Sequence, residues 1–81
     1  MSESRWRKKR RAQPTKLALA KRIRALRKEL GLSQEELAHR VGIHPTYLSA
    51  IERAERNPAL ENLDAIARAL GVPLSELFAA R

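Results

Sequence analysis

The chain has 81 residues, enough for one small domain and at most a tail. Its 17 lysines and arginines against 9 aspartates and glutamates give a net charge of +8, which favours a polyanionic partner, nucleic acid first and an anionic membrane surface second. Without cysteine there is no disulfide or thiolate chemistry, and no apolar stretch is long enough for a membrane span or a signal peptide, so we expect a cytoplasmic protein.

The positive charge is concentrated at the N-terminal end of the chain. Residues 1–16 carry seven basic side chains and one acidic side chain, a net +6, and residues 17–30 add five basic and one acidic, a net +4. Residues 57–81 hold two basic and three acidic side chains, a net −1. A polyanion would therefore meet the N-terminal half of the molecule and avoid the C-terminal end.

Residues 1–16, here called the basic arm, contain Trp6 as their one aromatic residue and nothing that can build a core, so we expect the arm to be disordered in isolation. Its basic side chains can neutralise phosphates or lie in a minor groove. The candidate contact residues are Arg5, Arg7, Lys8, Lys9, Arg10 and Arg11. A merely solubilising tail is the alternative, whereas membrane binding is disfavoured because the arm has few apolar side chains to insert.

The remaining residues, 17–81, are predicted to form one helical domain. Leu19, Ile23, Leu26 and Leu30 recur at helical spacing, and Gly31 is a natural end for this first helix. Arg27 falls on or beside the same apolar face, where an arginine requires a partner.

Two short helices are predicted next. Ser33 and Glu36 have the spacing of a capping box at the start of the second helix, which Gly42 ends. Pro45 suits the first position of a third helix, which would run to about Arg53.

The last part of the domain is also helical. Leu60, Leu63, Ile66, Ala67 and Leu70 mark a fourth helix, and residues 75–78 allow one or two further turns. No strand-like alternation appears, so the fold class is all-α with five helices.

The connection between the second and third helices is too short for an antiparallel hairpin and predicts a helix-turn-helix over about residues 33–53. Residues 34–53, "QEELAHRVGIHPTYLSAIER", resemble the helix-turn-helix of the Cro and phage-repressor (Cro/C1, Xre-like) family, and the flanks extend the resemblance over roughly residues 19–78. Residues 46–57 are most similar to controller proteins of restriction–modification systems. The resemblance implies a five-helix lambda-repressor-like domain that binds double-stranded DNA as a bacterial or phage transcriptional regulator.

The third helix is the predicted reader of the major groove. Thr46, Ser49, Ala50 and Arg53 share one face of it, and small polar side chains there can reach base edges. The predicted base-reading residues are Pro45, Thr46, Tyr47, Ser49 and Ala50, with packing against the turn as an equal alternative for Tyr47.

Phosphate contacts are expected around this helix, from Gln34, His44, Arg53 and Arg56. The glutamine lies at a helix N-terminus, where free N–H groups favour an anion, and the resemblance implies that it also braces the third helix. Glu52 points toward the core and needs a partner, for which Arg27 is the obvious candidate; the family resemblance implies the same structural ion pair.

Three residues depart from the family pattern. Ala54 replaces a glycine that usually follows "IER", so the third helix runs longer or the turn is strained. Pro45 stands where controller-like proteins often carry arginine, and Ala59 replaces the usual serine cap of the fourth helix.

The family also implies a homodimer on an inverted repeat. The least charged apolar surface is predicted as its interface, and the alternative is that these residues only close the core of the monomer. The interface residues are Val72, Leu74, Leu77 and Phe78.

An enzyme is nearly excluded, because His39 and His44 lack a nucleophile or metal partner at suitable spacing. No cofactor, metal or small-molecule effector is indicated. The rival function is a protein-interaction module of the same fold, an antitoxin or bridging factor in which DNA binding is secondary.

Overall fold

The structure is a computed structural model that describes residues 14–78. Four α-helices follow one another and a 3₁₀ helix ends the described chain: α1 (Pro14–Glu29), α2 (Gln34–Val41), α3 (Pro45–Glu52), α4 (Leu60–Leu70) and the 3₁₀ helix Leu74–Phe78. No strand occurs in this range, so the all-α fold class is confirmed, with the 3₁₀ helix as its fifth helical segment. α1 begins earlier than the expected Leu17, and the predicted contact residues of the basic arm lie outside the described residues.

A single apolar core joins all the helices. α2 packs against α3 and α4, while α1 packs against α3 and the 3₁₀ helix. Burial of each large aliphatic side chain stabilises the fold by about 1.5–3 kcal/mol, so this cluster is the main source of stability. The largest fully buried side chains are Ile23, Leu37, Leu48, Ile51, Ile66 and Leu77.

The 3₁₀ helix is fastened to α1 by both packing and charge. Leu77 is fully buried in the core of the monomer, where the sequence predicted an interface position. Next to it, Arg22 donates from Nε to the backbone carbonyl of Glu76 at 2.9 Å and from Nη2 to its carboxylate at 2.7 Å. Of the four predicted interface residues, Val72 and Leu74 are partly buried against the core and Phe78 is 47% exposed.

All four α-helices end in the same backbone motif. The residue directly after the left-handed one donates its N–H to the carbonyl five residues back, as expected for a Schellman motif. These bonds are Leu32 to Arg27, Ile43 to Ala38, Glu55 to Ala50 and Val72 to Ala67, each between 2.9 and 3.1 Å. Their N–H donors follow Gly31, Gly42, Ala54 and Gly71, respectively, all at positive φ.

Ala54 is therefore an alanine in a glycine position. Its φ of 61° makes it the one non-glycine residue at positive φ among residues 14–78. A side chain in this region crowds the following carbonyl oxygen, which costs roughly 1–2 kcal/mol. Of the two sequence-based alternatives, the structure has the strained turn, since α3 ends at Glu52.

Candidate nucleic-acid interface

The turn between α2 and α3 sets the direction in which α3 packs against the domain. Ala38 is fully buried, and its carbonyl accepts from the N–H groups of both Gly42, at 2.8 Å, and Ile43, at 3.0 Å. Gly42 has φ 87°, which permits the abrupt change of direction, and Ile43 packs against the core at the corner. The predicted capping box is also present at the start of α2, where Ser33 and Glu36 bond reciprocally at 2.8 and 3.0 Å. Both ends of α2 are thus fixed, which makes it a rigid support for α3.

His44 caps the N-terminus of α3. Its Nδ1 accepts from the backbone N–H of Thr46 at 3.1 Å. An imidazole nitrogen that accepts carries no proton, so in the neutral ring the proton is on Nε2. His44 is exposed and therefore presents an N–H donor beside the first turn of α3.

The outer face of α3 carries the residues predicted to read bases. Thr46 is exposed, Pro45, Ser49 and Ala50 are partly buried, and Leu48 on the opposite side is fully buried. An eight-residue helix with one buried and one polar face has its small hydroxyl side chains available to a partner.

A buried ion pair fixes the C-terminal end of α3. Arg27 donates from Nε and Nη2 to the two carboxylate oxygens of Glu52, at 2.8 and 3.0 Å, and from Nη1 to the carbonyl of Leu32 at 2.8 Å. The two side chains are only 10% and 3% exposed. The structure brings together the pair that the sequence indicated, and it locks α1 onto α3.

Gln34 belongs to the same network. Its Nε2 donates to the Oε1 of Glu52 at 3.0 Å, so its side chain braces α3. The phosphate contact predicted for this residue would then be made by its backbone N–H, which is one of the free donors in the first turn of α2.

Arg53 sits between two partners on the surface. Its Nε and Nη2 donate to the carboxylate of Glu55 at 3.0 and 2.9 Å, and its Nη1 donates to the Ser49 hydroxyl one helical turn earlier. The hydrogen bond and the charge of Arg53 lower the pKa of the Glu55 carboxyl, and Glu55 in turn raises the pKa of Arg53. Both are more than half exposed.

Tyr47 has a packed and a polar side. Its ring packs against the core, its hydroxyl accepts from Asn62 Nδ2 at 3.3 Å, and the guanidinium of Arg56 lies 5.5 Å from the ring centroid. Contact across the ring contributes a cation–π attraction and keeps Arg56 beside α3. Both alternatives for Tyr47 thus have a structural basis, because packing leaves its O–H free to donate.

Three of these contacts have no signal in the sequence. Glu55 lies two residues from Arg53, a spacing that does not bring side chains together on a helix. Asn62 and Tyr47 are on different helices, as are Arg22 and Glu76. The last two contacts depend on tertiary placement of the chain, and the Arg53–Glu55 contact depends on the left-handed turn at Ala54.

Two further features bear on the possible kinds of site. Residues 14–78 bring together no group of three or more histidine, aspartate or glutamate side chains that could hold a metal ion. Over the same range, every helix is too short or too polar to cross a bilayer.

Comparison of the sequence with known proteins finds regulators. The family described as "Helix-turn-helix" (HTH_3) matches residues 23–77. Control protein C.MunI from Mycoplasma sp is 44% identical over 64 residues, covering 78% of this chain and 86% of that protein. The immunity repressor protein of Bacillus phage phi105 is 41% identical over 61 residues, 75% of this chain; these span only 42% of the repressor's length.

Solved structures of similar proteins have the same fold. The restriction–modification controller protein C.AhdI from Aeromonas hydrophila superposes with a TM-score of 0.75 at 40% identity, covering 76% of this chain and 94% of C.AhdI. The biofilm master regulator SinR, solved in complex with DNA, gives a TM-score of 0.72 at 37% identity over 75% of this chain and 98% of SinR.

Proposed function

This chain belongs to the HTH_3 helix-turn-helix family of DNA-binding transcriptional regulators, and we propose that it is a controller-type regulator that binds an inverted-repeat operator as a dimer, with α3 in the major groove. The observation that carries this proposal is the outer face of α3, whose small polar side chains project from a helix fixed at both ends. The relatives are regulators rather than enzymes, and a regulator of this kind acts in the cytoplasm, on bacterial or phage DNA.

Base reading would come from the exposed part of α3. The hydroxyl of Thr46 can donate to or accept from a base edge, and its methyl group and that of Ala50 can contact a thymine methyl. Tyr47 would act from the side through its O–H. Pro45 has no N–H to offer, so its role would be apolar contact at the first turn.

Phosphate contacts would come from the two ends of the helix-turn-helix. At one end, His44 presents an imidazole N–H and Gln34 a free backbone N–H. At the other end, Arg56 is exposed beside Tyr47, so its charge is available next to α3. The basic arm would add contacts along the backbone, each of which steepens the salt dependence by about 0.9 in the logarithmic slope.

The dimer interface would include the apolar side chains that the monomer leaves uncovered. Phe78 is 47% exposed and Leu60, in the first turn of α4, is 67% exposed. Val72 and Leu74, partly buried, would contribute their outer surfaces. Two recognition helices related by a two-fold axis would then read half-sites about 34 Å apart.

Selection of bound duplexes from a random library, near physiological salt, tests this function. We expect an enriched inverted repeat whose half-sites are one helical turn apart. A single enriched half-site would contradict the dimer, and binding without enrichment would contradict base reading and leave only attraction by the basic arm. No DNA binding at all would favour the protein-interaction alternative.

A matched pair of variants assigns the reading to α3. Thr46→Ala removes an exposed hydroxyl from the proposed reading face, whereas Ser75→Ala removes an exposed hydroxyl far along the chain, in the 3₁₀ helix. We expect the first variant to change the selected base at one position of each half-site and the second to select the wild-type sequence. An unchanged selection by Thr46→Ala would remove this residue from the proposed readers.

A further inference from the structure

The guanidinium of Arg53 is held in place by two partners. Glu55 binds it along one edge through two hydrogen bonds of 3.0 and 2.9 Å, and Ser49 accepts from Nη1. Because helical side chains lean toward the N-terminus, the guanidinium lies over the turn that carries Ser49. Arg53 is thus drawn away from the C-terminal end of α3 toward the middle of the proposed reading face.

The hydrogen bonds leave a defined set of donors. A guanidinium has five N–H groups, of which Glu55 takes one on Nε and one on Nη2, and Ser49 takes one on Nη1. One N–H therefore remains on each terminal nitrogen. Two N–H groups from one guanidinium match the O6 and N7 acceptors of guanine in the major groove.

The charges of the pair argue against a phosphate as the partner of Arg53. The Glu55 carboxylate compensates the guanidinium charge, so the pair has little net attraction for the DNA backbone. A phosphate brought to Arg53 would also be close to the carboxylate and be repelled by it. A neutral base edge meets no such repulsion and still accepts both hydrogen bonds.

We propose that Arg53 reads a guanine in each half-site and that Glu55 is the positioning residue that holds its guanidinium for this contact. The proposal rests on the proposed function and revises the phosphate role predicted for Arg53. Ala54 is part of the arrangement, since its positive φ turns the chain so that Glu55 comes back beside Arg53. Ser49 gains a second role, as the acceptor that draws the guanidinium along α3.

Three variants test the proposal in the full-length protein. Arg53→Lys keeps the charge but cannot make the two-pronged contact. Glu55→Gln keeps the arginine but removes the second carboxylate oxygen that fixes it. Glu29→Gln is the matched control, because it removes one exposed carboxylate from the end of α1.

The measurement is a ratio of dissociation constants. Duplexes are first selected with the wild type and with Arg53→Lys. The position of interest is the one at which the wild type prefers guanine and Arg53→Lys does not. The Kd is then measured for the selected duplex and for one with that guanine changed to adenine in both half-sites. The ratio is the Kd for the adenine duplex divided by the Kd for the selected guanine duplex. We expect this ratio to fall about tenfold in Glu55→Gln and to stay at the wild-type value in Glu29→Gln, with preferences at other positions unchanged.

Other outcomes separate this inference from the proposed function. If Glu55→Gln keeps the wild-type ratio but binds all duplexes more tightly with a steeper salt dependence, Arg53 contacts phosphate and Glu55 only competes with it. If wild type enriches a repeat but Arg53→Lys loses no guanine preference, the inference again fails while the proposed function stands. If wild type enriches no sequence, both fail.

Discussion

Two arginine–glutamate pairs lie at the end of α3, and they share the same two-pronged geometry but differ in burial. In each, Nε and Nη2 of the arginine donate to both carboxylate oxygens, at 2.8 and 3.0 Å for Arg27 with Glu52 and at 3.0 and 2.9 Å for Arg53 with Glu55. The side chains of the first pair are 10% and 3% exposed, and those of the second are 53% and 57% exposed. The buried ion pair holds two helices together, whereas the exposed one fixes the position of an arginine side chain on the surface.

The surroundings of the two pairs explain the difference. Each arginine has a third acceptor on Nη1, Leu32 for Arg27 and Ser49 for Arg53, but only the buried carboxylate has a further donor, Gln34. Among the described residues, no buried side-chain nitrogen or oxygen lacks a hydrogen bond, so the cost of removing these charges from water is offset. The exposed pair is solvated, which makes its contribution to stability small but leaves Arg53 accessible.

Arg27→Met should produce the largest effect. It leaves the Glu52 carboxylate buried without its counter-ion, which typically costs about 3–5 kcal/mol of unfolding free energy. Urea denaturation followed by circular dichroism measures the loss. For a domain of this size the variant can be largely unfolded at 25 °C, since small domains have little stability to lose.

Two further variants sharpen that experiment. Arg27→Met combined with Glu52→Leu removes both charges, and we expect it to be more stable than Arg27→Met alone because no unpaired carboxylate remains. Arg53→Met makes the same chemical change in the exposed pair and should leave the urea midpoint near the wild-type value. Equal losses from Arg27→Met and Arg53→Met would show that burial does not distinguish the two pairs.

Ala54→Gly should stabilise the protein. Ala54 lies between the two members of the exposed pair, and its turn leads the chain from the buried Glu52 to the exposed Glu55. Glycine relieves the left-handed strain but has more freedom in the unfolded chain, so we expect a net gain of about 0.5–1 kcal/mol by urea denaturation.

The matched control for Ala54→Gly is the same substitution at Ala25. That residue is exposed in the interior of α1, where glycine should cost about 1 kcal/mol. The same substitution should therefore raise the free energy of unfolding at Ala54 and lower it at Ala25, because the two backbone conformations differ. A loss of stability in both variants would mean that the turn at Ala54 is not strained.

The contrast between the two pairs also shows what the sequence could predict. Glu52 and Arg27 each fall on an apolar helical face, so the helical periodicity indicated two buried charges of opposite sign and hence an ion pair. The Arg53–Glu55 pair depends on one φ angle, that of Ala54, and no spacing rule reports it. The sequence likewise placed Leu77 in an apolar segment, but it could not show that the 3₁₀ helix folds back and buries this side chain against α1.

The acidic titration of Glu55 should give the smallest effect and the most direct view of the exposed pair. Arg53 lowers the pKa of this carboxyl below its ordinary value of 4.5, through hydrogen bonds first and charge second. A lowered folded-state pKa means that the pair contributes to stability above the unfolded value and loses that contribution as the pH falls through the folded value. We expect the carboxyl shift measured by NMR to give a pKa below 4.5 in wild type and near 4.5 in Arg53→Met.

Glu36 serves as the internal reference for that titration. Its pKa is also lowered, but the cause is the backbone N–H and then the side chain of Ser33 in the capping box of α2, to which Arg53 contributes nothing. Arg53→Met should therefore leave the Glu36 titration unchanged while that of Glu55 rises. If both carboxyls move together, the substitution has altered the whole domain; if neither moves, the guanidinium is not held by Glu55 in solution. The second result would remove the basis for Glu55 as a positioning residue, because a carboxylate that does not hold the free arginine cannot preorganise it for guanine.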